Sequence, residues 1–91
     1  MQTLTIADFR RGDTLHVRSP AGELELKLAE VHELPPSGRE GGAFRLEFHG
    51  PMEPLLQQGT YDFLVGASWV GIFVVPLGFL PQAMRYEAIF Y

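Results

Sequence analysis

Few side chains in this sequence could carry chemistry. His16, His32 and His49 are the only imidazoles, and there is no cysteine. Thiol catalysis, disulfides and Cys-based zinc sites are therefore excluded. A metal needs ligands converging to within about 2–2.6 Å of one ion. In the strand register argued below, His16 falls on a different strand pair from His49, and His32 and His49 fall near opposite ends of one hairpin. They read as surface or rim histidines, and neither a metal nor another cofactor is expected. Ser68 lies in Gly66-Ala67-Ser68-Trp69-Val70, which lacks the second glycine of a nucleophile elbow and reads as a turn serine. Asp62 and Glu87 would act as an acid–base pair only if barrel closure brought their strands together beside a substrate cleft. Arg11-Gly12-Asp13 spells an integrin-type tripeptide, but Gly12 reads as a helix stop and Asp13 as a strand lead-in. Ser37-Gly38-Arg39-Glu40-Gly41-Gly42 lacks the Gly-Lys-Ser/Thr ending of a phosphate-binding loop and reads as a hairpin tip, with partner binding as its functional alternative. No set of reactive residues converges, so an enzyme is not expected.

The elements that hold these residues follow from periodicity. Ninety-one residues, 46% hydrophobic, make one domain over 1–91 with a packed core. A formal net charge of −4 argues against nucleic acid as a partner. Thr5 to Gly12 reads as one short helix, with Thr5 as cap, Asp8 in the capping-box position and Gly12 as stop. From Asp13 the period becomes two. Leu15 and Val17 pair with Leu26 and Leu24 across a Ser19–Gly22 turn, which also sets Arg18 opposite Glu23 and His16 opposite Glu25. The inward phase slips after Leu28, so a bulge near Ala29–Glu30 is expected. Phe44, Leu46 and Phe48 mark a third strand, registered with Glu30 opposite Arg45 and Val31 against Phe44. Met52 to Gln58 could make one helical turn. Tyr61, Phe63 and Val65 mark a fourth strand, Trp69 to Pro76 a fifth, and Arg85 to Tyr91 a sixth. The class is mainly β: a six-stranded antiparallel meander curled into a small barrel or roll, with one short N-terminal helix.

Phe63 to Met84 carries no charged side chain and is long enough to span a membrane. Its prolines, glycines and β-branched residues break a helix, and no Lys/Arg cluster flanks it. It reads as strand, turn, strand and a Pro/Gly-rich loop. No signal peptide is evident at Met1–Thr5, and a cytoplasmic setting fits.

Phe44-Arg45-Leu46-Glu47-Phe48, Gln58-Gly59-Thr60-Tyr61, Gly71-Ile72-Phe73-Val74-Val75-Pro76-Leu77-Gly78 and Tyr86-Glu87-Ala88-Ile89-Phe90, in that order, resemble a family of short bacterial proteins known as a domain of unknown function. The resemblance covers most of the chain after Phe9. Family members usually end Tyr-Glu-Ala-x-Phe-Asn, where this chain has Tyr91. They often lie near phage-tail-collar-like proteins, which implies an accessory or assembly role in a phage-like or secreted particle.

The fifth strand is apolar on both faces, unlike the alternation of a half-wet sheet. The leading expectation is a non-enzymatic interaction or assembly domain. It would associate with itself or a protein partner through Val70, Ile72, Val74, Phe79, Ile89 and Tyr91. The alternative is a small-ligand-binding barrel with Tyr61, Trp69, Phe73 and Tyr86 lining its cavity.

Overall fold

In the computed structural model, which describes residues 3–91, six antiparallel strands close into a barrel. They are β1 (Thr14–Ser19), β2 (Gly22–Glu33), β3 (Phe44–Gly50), β4 (Gly59–Val65), β5 (Ser68–Leu80) and β6 (Ala83–Phe90). Around the barrel they run β1-β2-β3-β6-β5-β4. The chain thus makes two three-stranded meanders, β1 to β3 and β4 to β6, rather than one continuous meander. Residues 51–58 cross from one to the other.

Two long strands turn the barrel's corners. β2 pairs with β1 over Gly22–Lys27 and with β3 over Lys27–Glu33, and its register breaks between Leu28 and Glu30. This is the bulge that the phase slip predicts. β5 pairs with β4 over Ser68–Val74 and with β6 over Val75–Leu80. Each therefore pairs with one neighbour along its first half and with the other along its second, within the one closed barrel. The β1–β4 seam is short, with only Val17–Phe63 and Arg18–Asp62 in register.

The interior is filled by alternate side chains from every strand, among them Val17, Leu26, Leu28, Leu46, Phe48, Phe63, Ile72, Val74 and Tyr86. Phe48 and Phe63 meet near its middle, with ring centroids 5.1 Å apart. Leu4 and Phe9 plug one end, where Phe9, Phe44 and Phe90 form an aromatic cluster. Arg39 pins that plug: its Nη1 donates to the carbonyls of Leu4, Glu40 and Gly42 at 2.9, 2.9 and 3.0 Å. Gly41, at φ +91°, lets Leu4 approach, since a Cβ there would lie 2.6 Å from the Leu4 carbonyl oxygen. At the other end the crossover segment buries Leu56, whose N–H donates to Tyr86 Oη at 2.9 Å. Without that phenol the enclosed amide would have no partner.

Several expectations need correction. The N-terminal helix is a three-residue 3₁₀ turn, Ile6–Asp8, although its Thr5/Asp8 capping box is present. The backbone is diverted into tertiary pairing: Gly12 N–H donates to Leu28 O, and Leu28 N–H to Asp13 O. The β2–β3 register is Val31–Leu46 and Glu30–Glu47, two residues from the expected one; a two-residue slip keeps every side chain on its face, so alternation alone does not distinguish the two. Met52–Gln58 is irregular and not a helical turn. The loop expected at Gly78–Met84 is mostly strand. β5 continues through Pro76 with a register shift between Pro76 and Gly78, and a two-residue turn at Pro81–Gln82 leads into β6. A bulge is where a strand tolerates a residue without an N–H. Among the described residues, no helix is long and apolar enough to cross a membrane.

Candidate functional site

The site with most to offer a partner is the corner where β5 leaves β6. Ladder pairing between the two ends at Val75–Glu87. Beyond that point β5 pairs only with β4, and Ala88 to Phe90 of β6 pair only with β3. The edge of β5 from Ser68 to Val74 that faces β6 thus has no strand beside it among the described residues. A cleft of about 730 Å³ opens there, lined by Trp69, Val70 and Gly71 of β5, Phe90 of β6, and Leu4 and Arg39 of the plug.

Side chains around the opening are apolar on the outside of the barrel. Phe73 is 51% exposed, Ile89 55% and Tyr91 72%. Extending the Val75–Glu87 register by two residues sets Phe73 and Ile89 on facing positions across the gap. Trp69 is half-buried, with the Arg18 guanidinium carbon 3.6 Å from its ring centroid, a cation–π stack that holds the indole flat on the surface. Gly71 stands between Trp69 and Phe73 on the same face, where it leaves the strand backbone uncovered.

Beside this corner, on the outer face of β3 and β6, lies an ionic cluster. Arg45, Glu47 and His49 alternate along β3, with Glu87 opposite Glu47 and Arg85 opposite His49. Arg85 grips the Glu47 carboxylate with two bonds, Nε to Oε2 at 3.1 Å and Nη2 to Oε1 at 2.9 Å. Arg45 Nη2 donates to Glu47 Oε1 at 3.1 Å, and its Nε donates to Glu87. His49 Nε2 lies 2.9 Å from Glu47 Oε2. These neighbours roof Glu47, which is only 8% exposed. The bidentate Arg85 bond, with help from His49 and Arg45, outweighs burial and holds the Glu47 carboxyl down to about 2. A general base works best with a pKa near the operating pH. Glu47 is instead ionised and saturated with donors, so it serves as a clamp between β3 and β6. The same arrangement lets Glu30 face Glu47 across β2–β3 without net repulsion.

The residues singled out from sequence are dispersed. Ile72 and Val74 point into the barrel and are fully enclosed, and Val70 packs against the core. They cannot present a surface. The outward face of β5 is the other one, with Trp69, Gly71 and Phe73. Phe79, Ile89 and Tyr91 are exposed as expected. Of the four candidate cavity residues, Tyr86 is buried and bonded to Leu56, Tyr61 donates to the Gln57 carbonyl at 2.8 Å, and Trp69 and Phe73 lie outside. They do not enclose a common space. Asp62 and Glu87 do not pair: Asp62 sits opposite Arg18 and Gly71, and Glu87 binds Arg45. His16 stands 3.7 and 3.8 Å from Glu23 and Glu25, His32 3.7 Å from Glu30, and no metal-ligating group forms among the described residues. The Glu47 clamp does not stand out in the sequence because its alternating charges look like any solvated strand face.

Comparison with protein families matches residues 4–90 to Domain of unknown function (DUF6916). The chain belongs to this family. The match spans both meanders, the plug at one end and the crossover at the other, so the DUF6916 domain and the closed barrel with its open corner coincide. It agrees with the expected resemblance to a domain-of-unknown-function family. Comparison with curated proteins and with solved structures finds no match.

Proposed function

We propose that this domain is a non-enzymatic protein-interaction module that docks through the open β5–β6 corner. The observation that carries the reading is the loss of β5–β6 pairing beyond Val75, which among the described residues leaves strand edge and apolar side chains uncovered at one place. Phe73, Ile89 and Tyr91 are large apolar side chains left more than half exposed, the kind of residue that marks an interaction site when several lie together. The ionised Arg45–Glu47–Arg85 cluster borders the patch with charge, as the polar rim of an interface does. Assembly within a phage-tail-like particle is the setting that the family resemblance implies for such a module.

The reading is tested by photo-crosslinking in cells. A photoreactive residue replacing Phe73 should give discrete cross-linked products. The same residue replacing Glu25, on β2 across the barrel, should give none. Equal labelling at the two positions would overturn the assignment of the surface.

A further inference from the structure

We propose that the occupant of the open corner is a second copy of this chain, joined edge to edge through β5 in an antiparallel pair centred on Gly71. The inference rests on the reading of this corner as an interaction surface and specifies what binds there.

An open strand edge presents a row of backbone donors and acceptors that fit another strand. Proteins usually blunt such an edge with a charged residue, a proline or a bulge. The Ser68–Val74 edge has none of these: its sequence is Ser-Trp-Val-Gly-Ile-Phe-Val, and the register shift and Pro76 come only after β5 has joined β6. The edge is also self-complementary. In an antiparallel pair about a two-fold axis, residues equidistant from the centre face each other. With Gly71 at the centre, Trp69 faces Phe73 of the second copy on the outer surface, and Phe73 faces its Trp69. Val70 and Ile72 hold the intervening positions on the inner side, where each stays with the core of its own barrel. Both aromatic pairs are of the kind that stabilises neighbouring strands. The residue at the axis has no side chain, and a glycine inside a strand often marks the close approach of another backbone. One sheet would then run β1-β4-β5 through the axis and back through the second copy. Ile89 and Tyr91, which flank the gap, would be covered at the same time. A foreign strand could satisfy one edge; a second copy satisfies two equal edges with one contact.

The absence of native cysteine makes the register directly testable. Directly opposed residues in an antiparallel pair have Cα atoms about 4.5–5.5 Å apart, within the range that a disulfide spans. Gly71→Cys should therefore give a disulfide-linked dimer on mild oxidation. Ser68→Cys should not, because its two copies would lie about 20 Å apart along the strands. A Cβ at Gly71 would sit 3.2 Å from Thr60 Cγ2, a surface methyl. Should that contact disturb the barrel, a mixture of Trp69→Cys and Phe73→Cys chains should cross-link while either alone does not. Sedimentation of the unmodified chain should give a dimer, lost in Phe73→Lys. A monomer at every concentration would overturn the self-pairing, and a Phe73 photo-crosslink to a different protein would then leave the interaction reading standing. A dimer that Ile89→Glu dissociates, but in which neither Gly71→Cys nor the mixture of Trp69→Cys and Phe73→Cys chains cross-links, would overturn the register and keep the surface. Equal photo-labelling at Phe73 and Glu25 would remove both.

Discussion

Replacing Phe48 with alanine should remove a large part of the stability of the barrel. Phe48 is fully enclosed, faces Leu28 on one side and Tyr86 on the other across the strands, and packs on Phe63. With its own strand these neighbours make four strands around one ring, so no single element can shift to fill the space it leaves. Truncation of a buried Phe costs about 3–5 kcal/mol, the upper part of that range applying where the surroundings cannot collapse. A domain of this size holds only about 5–14 kcal/mol in total, and each kcal/mol moves the melting temperature by roughly 4–8 °C. Phe48→Ala should thus lower the midpoint by roughly 12–40 °C. Phe79→Ala, at an exposed end of β5, should change stability by only about 0.5 kcal/mol, as surface substitutions do. Similar thermal midpoints for the two variants would mean that the interior is not packed around Phe48.

Glu47→Gln should give the second-largest effect, and one that depends on pH. The glutamine keeps the shape of the carboxylate and one oxygen that can still accept from Arg45 and Arg85, but it loses the charge and sets an NH2 donor where Oε2 accepts from Arg85 Nε. Because Arg85 is partly open to solvent, screening reduces the gain below what full burial would give, and a loss of about 2 kcal/mol at neutral pH is expected. The folded-state value near 2 lies below the ordinary 4.5 of a free carboxyl. The stabilisation is therefore complete above about 4.5 and disappears as the pH falls through about 2. Denaturant titrations across this window should show the two curves far apart at neutral pH and converging at the acid end. A gap that stays constant with pH would show that the carboxylate charge is not the source.

Much of the barrel is legible in the sequence because its strands alternate cleanly. The β1–β2 register follows from matching Leu15 and Val17 with Leu26 and Leu24, and the bulge from the change of phase after Leu28. The order of strands is not legible in that way. Nothing in the alternation of β3 distinguishes β4 from β6 as its neighbour, and the crossover depends on Leu56 reaching Tyr86. The orientation of β5 is a different matter. Tyr61, Phe63 and Val65 face inward, and the two-residue Gly66–Ala67 turn fixes Phe63 opposite Val70 and Tyr61 opposite Ile72. That register alone turns Val70, Ile72 and Val74 into the barrel and Trp69 and Phe73 out. The surface expected on β5 is inverted because an all-apolar strand gives no phase of its own; its partner strand does. The open corner cannot be read from sequence at all, since it is defined by where pairing stops.

The two-meander order also sets how the barrel comes together. Within each meander, adjacent strands are neighbours in sequence and can zip from their turns without closing long loops. The β1–β4 seam joins residues more than forty positions apart through only two register pairs, Val17–Phe63 and Arg18–Asp62. Contacts of that kind are made late, after the entropy of a long loop has been given up. Amide exchange along β1 and β4 should accordingly outpace exchange along β3 and β6, whose seven register pairs hold the other junction. Uniform protection around the barrel would argue against this order. Strand closure here is thus a kinetic matter: the protein is two folding units fastened by a long zipper on one side and a short latch on the other, and the latch is the first part to open.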